Sequence, residues 1–171
     1  MDFRIQLTTL GDLHRAEADA LLVVVGEGSV PASLGKVLGA ALAAALKDGD
    51  LAYKPGRCLY LHGLAGVKPA RVVFAVAAAA TAKGFRAAWL AGLALLKGGG
   101  ARHLLVASAL PQPLDAMAAQ ALPGAVGEAL YVYRHTKPSA PAASRLQRVS
   151  LACAAADAAA AREGLQRGEA I

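Results

Sequence analysis

The stretch Arg71-Val72-Val73-Phe74-Ala75-Val76, then Phe85, Trp89, Gly92, Leu93 and Leu96 at helical spacing, then His103-Leu104-Leu105-Val106-Ala107, decides the fold. The outer two segments are short, almost continuously apolar runs, the pattern of strands buried on both faces. The residues between them fall on one face of a helix, and Gly98-Gly99-Gly100 closes that helix. A strand, a helix and a strand of this combined length make a βαβ unit, so part of the sheet is parallel.

Working outward towards the N-terminus, Cys58-Leu59-Tyr60-Leu61-His62 reads as another strand, separated from Arg71 by the short loop Gly63 to Pro69. A parallel crossover needs a dozen residues or more, so this pair is expected to be antiparallel. Further upstream, Leu34, Val37, Leu38, Ala41, Leu42, Ala45 and Leu46 form one apolar stripe. Ser29 is a candidate N-cap for that helix, Pro31 suits its first turn, and Gly49 is placed to end it. Ala20 to Val25 is a strand apolar on both faces, and Phe3 to Leu7 alternates as a half-buried one.

In the other direction, Leu114 to Tyr131 is mostly helical, with Pro123-Gly124 expected to break or kink it. Lys137 to Pro141 reads as an exposed connector, and Leu146 to Leu151 as a last strand. From Ala154 to Ile171 alanine supplies helix propensity, but there are few large apolar residues to anchor a helix and no clean cap. The expected class is α/β: a three-layer α/β/α sandwich with a mixed, mostly parallel sheet.

A length of 171 residues suits one domain with a real hydrophobic core. Apolar residues make up 56% and aromatics 5%, so that core is aliphatic. Cys58 and Cys153 read as reduced, buried thiols, since the N-terminus MDFRIQLTTL has no secretory h-region. The longest apolar run, Val72 to Thr81, is ten residues, too short to span a bilayer. A cytoplasmic protein is expected, with no membrane partner. The net charge of +6 and pI near 9.6 invite a nucleic-acid reading. The basic residues are dispersed, however; the densest groups are Lys54/Arg57, Lys83/Arg86, Arg134/Lys137 and Arg145/Arg148. At most weak, salt-sensitive, non-specific nucleic-acid association is expected.

No residue is expected to be catalytic, cofactor-binding or metal-binding. His14, His62, His103 and His135 share no metal-ligand spacing. Cys58 and His62 lie on one face of a strand but lack a third ligand or an orienting acid. No serine sits in a GxSxG elbow, and Asp19, Glu27, Asp48, Asp50 and Asp115 show no pairing for acid–base work. Gly26-Glu27-Gly28 stands where a phosphate loop would, after a buried strand and before a helix. It lacks the third glycine of GxGxxG and the Lys-Ser/Thr of a P-loop.

Several segments together resemble the N-terminal domain of the leucyl aminopeptidase (cytosol aminopeptidase) family. They are Ala18-Asp19-Ala20 entering a Leu/Val strand, Leu46 to Leu51 after a long helix, Lys54-Pro55-Gly56-Arg57, Cys58 to His62 and Arg71 to Phe74. Towards the end, Gly127 to Arg134 and Thr136-Lys137-Pro138 complete the set. The resemblance implies a macro-domain-like fold for residues 1–153, with residues 154–171 a helix leading towards a C-terminal catalytic domain. That domain would carry two divalent metals, zinc or manganese, and the N-T-D-A-E-G-R signature, which does not occur between Met1 and Ile171. The chain itself would bind no cofactor. Its partners would be its own catalytic domain and copies of itself in a hexamer. The alternatives are a stand-alone macro-like module for nucleotides or ADP-ribose, and a weak DNA-binding domain. Two departures from the family pattern are the weakly charged connector His135 to Pro141 and the alanine-rich helices.

Overall fold

The computed structural model describes residues 1–28, 30–131 and 144–171. Six strands form one sheet: β1 (Asp2–Leu7), β2 (Ala20–Gly26), β3 (Cys58–His62), β4 (Arg71–Ala77), β5 (His103–Ser108) and β6 (Arg148–Cys153). Their spatial order is β1-β6-β5-β2-β4-β3. Every neighbouring pair is parallel except β3 with β4, which runs antiparallel from Cys58↔Ala75 to His62↔Arg71. The short loop before Arg71 therefore joins an antiparallel pair, as its length requires. The βαβ unit is present too, with β4 and β5 both parallel to β2, which lies between them.

The helices are α1 (Lys36–Asp48), α2 (Ala82–Leu96), α3 (Ala116–Leu130) and α4 (Ala158–Glu169). Strand alternation divides the core in two. Leu22, Val24, Val73, Leu104, Val106 and Leu151 face α2, α3 and α4. Leu21, Val23, Val25, Phe74 and Leu105 face α1 and the short 3-10 turns. This is the expected three-layer α/β/α sandwich. Its largest side chain, Trp89, is fully buried and stacks on Phe85 with ring centroids 5.4 Å apart.

Three local expectations change. The stripe from Leu34 is not one helix: Ala32–Leu34 is a 3-10 turn, and Gly35 at φ +88° separates it from α1. A positive φ cannot be accommodated inside a right-handed helix, so α1 starts at Lys36. Gly49, at φ +80°, does end it. The N-cap expectation at Ser29 falls outside the described residues, as does the connector Lys137 to Pro141.

Pro123 does not break its helix, since α3 runs continuously from Ala116 to Leu130 across it. The proline is buried, and its ring lies against Gly168 of α4. Packing there outweighs the missing backbone donor. Finally, α4 has more anchorage than its alanine-rich sequence indicates. It lies along α3 and buries Ala161, Gly164, Leu165 and Gly168, with α3 carbonyl oxygens directly beneath both glycines. Small residues bring the two backbones close, so dispersion substitutes for large side chains.

Candidate functional site

In open α/β sheets, ligands bind beyond the carboxyl ends of strands, where successive connections leave on opposite faces. Here that change falls between β2, which leads to α1 on one face, and β5, which leads to α3 on the other. The position is partly filled. The Ala109 N–H donates to the Val24 carbonyl at 2.8 Å, which carries the chain after β5 across β2. Leu110 then covers Gly26 so closely that a Cβ there would lie 2.6 Å from Leu110 Cδ2. The glycines of Gly26-Glu27-Gly28 thus serve a close side-chain approach and a turn at φ +123° on Gly28.

An open crevice of about 330 Å³ continues from there along the carboxyl ends of β5, β6 and β1. Its floor is Ala107 and Leu151, and its walls include Leu13, Leu110 and Leu114. Thr8, Thr9, Ser108, Gln112, Cys153 and Asp157 supply its polar groups. Burial pushes the Cys153 thiol up from its ordinary value, and the Asp157 carboxylate pushes it further in the same direction. A thiol held in its protonated form is a poor nucleophile. Cys58, at the far edge in β3, is also pushed up by burial. Three strands separate β6 from β3, about 19 Å at ~4.8 Å per strand, so the two thiols cannot pair.

The amino ends of the strands carry a second polar group. One Asp19 carboxyl oxygen accepts from the backbone N–H groups of Arg102 and His103, both at 2.9 Å. These bonds, His103's first, hold Asp19 below the usual carboxylate value against the opposing effect of desolvation. The aspartate staples the start of β2 to the start of β5. His103 Nε2 lies 2.8 Å from the Ser150 hydroxyl, the buried polar side chain of β6. Burial lowers the His103 pKa from its ordinary value, and Arg148 adds to the effect. Ser150 is 2% exposed, so a substrate cannot reach its hydroxyl. Close by, the guanidiniums of Arg4 and Arg148 lie 2.9 and 3.1 Å from the same oxygen of Asp2.

The remaining residues singled out from sequence do not converge. His14 lies in a 3-10 turn, His62 in edge strand β3 and His103 in β5, while His135 is outside the described residues. Among the described residues no three His, Cys, Asp or Glu side chains gather where they could hold a metal ion. Asp115 caps α3 by accepting from Ala118 N–H at 2.8 Å. Of the denser basic groups, Arg86 pairs with Glu128 of α3 and Arg148 with Asp2. No helix among the described residues is long and apolar enough to cross a membrane. Sequence reading missed the His103–Ser150 pair and the partly buried Asp157. Strand parity puts His103 and Ser150 on one face of the sheet, but it does not show that β5 and β6 are neighbours.

No family model matches this chain. Over all 171 residues it is 47% identical to a probable cytosol aminopeptidase of Methylibium petroleiphilum, and it covers 35% of that protein's length. The chain belongs to the cytosol aminopeptidase family, to its N-terminal part. A probable cytosol aminopeptidase of Polaromonas naphthalenivorans is 36% identical over 154 residues, 29% of its own length. The chain therefore spans about a third of the curated relatives it matches. Among solved structures, a tomato leucine aminopeptidase mutant superposes with a TM-score of 0.75 at 17% identity, covering 99% of this chain and 35% of that one. The bottromycin maturation enzyme BotP, solved in complex with Mn, gives a TM-score of 0.57 at 24% identity over 90% of this chain and 30% of its own. At these identities the structures establish a shared fold. The mixed, mostly parallel sheet is that of leucine aminopeptidase N-terminal regions.

Proposed function

We propose that this chain is the non-catalytic N-terminal domain of a cytoplasmic leucyl aminopeptidase. In this reading it helps assemble subunits, with a hexamer as the expected state, and shapes access to a separate catalytic domain. The observation that carries it is the match along the whole chain to only a third of the relatives' length. Two divalent metals, zinc or manganese, would belong to the remaining two thirds and would there polarise the scissile carbonyl and activate water. The donor groups described in this chain do not fit such a centre, so its own residues are given no step in the hydrolysis.

The test pairs this chain with the full-length Methylibium relative. With leucine p-nitroanilide and manganese or zinc, the 171-residue chain is expected to give no turnover and the full-length relative to hydrolyse the substrate. Removing the matching third from the relative is expected to reduce its assembly state, measured by light scattering. Metal-dependent turnover by this chain alone would refute the reading. So would a shortened relative that assembles and works unchanged.

A further inference from the structure

The crevice at the carboxyl ends of β5, β6 and β1 has a consistent chemistry of its own. Its floor is aliphatic, its walls mix aliphatic side chains with Thr8, Thr9, Ser108 and Gln112, and no Lys, Arg or His lines it among the described residues. Its charged lining residue is Asp157, at the entry to α4. That side chain is partly buried, and its carboxylate makes no hydrogen bond or ion pair with any described residue. Asp157 acts electrostatically on Cys153 within the crevice, so its charge is felt inside it. Arg162 also acts on Cys153, but it does not line the crevice.

A partly buried, unpaired carboxylate facing a crevice without cations favours an incoming cation with hydrogen-bond donors. The same charge disfavours phosphates and carboxylates. The volume, about 330 Å³, is at the small end of the roughly 300–1,000 Å³ range of ligand cavities. We propose that this crevice binds a primary ammonium group carried on a short aliphatic chain. The ammonium rests on Asp157, and the alkyl group lies on Leu110, Leu114 and Leu151. The inference does not depend on the aminopeptidase reading, because every group in it belongs to this chain.

The test is an amide-resolved NMR titration of the 171-residue chain with 3-methylbutylamine. The isosteric 3-methylbutan-1-ol, 3-methylbutanoate and inorganic pyrophosphate serve as comparisons. The amine is expected to shift Thr8, Ser108, Cys153 and Asp157 in a saturable manner, with the alcohol at least about tenfold weaker and neither anion binding there. Asp157→Ser removes the charge at an N-cap position where the aspartate makes no capping hydrogen bond, and is expected to weaken the amine about tenfold while thermal melting confirms the fold. No saturable shift with the amine overturns the proposal. So does equal binding of the alcohol, equal binding by Asp157→Ser, or pyrophosphate bound at these residues.

Discussion

Replacing Gly164 by alanine tests how α4 is held. In a helix interior the exchange normally stabilises by roughly 0.5–1 kcal/mol, because alanine loses less backbone entropy on folding. At Gly164 the added Cβ would lie 2.2 Å from the Ala116 carbonyl oxygen and 2.9 Å from Ala119 Cβ. The first distance is about 1 Å inside the ~3.3 Å of a close carbon–oxygen contact. The obstructing atom is backbone in the first turn of α3, so rotating a side chain cannot relieve it. α4 must move away from α3, which loosens the buried Ala161 and Leu165. Overpacking of this kind costs about 1–3 kcal/mol, so the net effect is a loss of about 1–2 kcal/mol. For a chain of this length that lowers the melting temperature by about 2–8 °C. Gly124 and Gly127, within α3 but with nothing near the position of a Cβ, are internal controls. Alanine at either is expected to raise the melting temperature by about 1–4 °C. Circular-dichroism melts of the three variants decide the matter. If Gly164→Ala stabilises as Gly124→Ala does, the close approach of α4 and α3 is wrong.

Other outcomes follow from the amino ends of the strands and from the layering. Asp19→Ala leaves two backbone N–H groups without their acceptor and is expected to cost about 1 kcal/mol, the carboxylate being exposed. Because the folded Asp19 pKa is lowered, its contribution is complete above the ordinary value near 3.8 and fades as pH falls towards the folded value. The gap between wild type and Asp19→Ala in urea melts is therefore expected to narrow at acid pH; a constant gap would contradict it. For His103 the folded pKa is lowered, so the unfolded chain takes up the proton first. Stability is expected to fall as pH drops through the ordinary 6.5 and to level off below the folded value, and His103→Gln should remove that component from the melts. In hydrogen exchange, β2 is expected to be the slowest strand and edge strand β1 among the fastest, and equal protection of the two would argue against the strand order.

The strands were legible because their patterns are independent of neighbours. Cys58 to His62 has the same bounds in sequence and structure, and the apolar runs at Ala20, Arg71 and His103 extend by one residue each. What sequence concealed was decided by contact between distant segments. Pro123 reads as a helix breaker until Gly168 is seen against its ring. The segment after Ala154 reads as poorly anchored because hydrophobic periodicity scores large side chains, whereas Gly164 and Gly168 act by having none. From sequence the last strand reads two residues early. Leu146 is apolar and packs on the core, but pairing with β1 begins at Arg148 opposite Asp2. The crevice was invisible for a related reason, since Thr8, Ser108 and Asp157 lie on three segments that only the parallel order β1-β6-β5 brings together.

That same order explains why the polar residues of the sheet are concentrated at one side. The face towards α2, α3 and α4 is apolar from β1 to β4, with Phe3 and Ile5 of β1 still packed on that core. The opposite face is apolar over β5, β2 and β4, where α1 and the 3-10 turns cover it. β1 gives that second core no residue, and β6 gives only the partly buried Ala152. On this face β1 and β6 instead present Arg4, Gln6, Arg148 and Ser150, with His103 at the start of β5 beside them. Parity requires these positions to face that way, and among the described residues the second core reaches no further than Ala152 of β6, which permits them to be polar. Their partners are then local: Asp2 for both arginines and Ser150 for His103. Such a cluster arises wherever one face of an edge goes uncovered, which accounts for a histidine beside a serine without invoking catalysis. Asp157 differs: it stands at the N-cap of α4, where the helix dipole favours a carboxylate, but its side chain makes no capping hydrogen bond. It lies at the carboxyl ends, where the fold leaves space for a ligand, and that difference separates the two polar groups of this sheet.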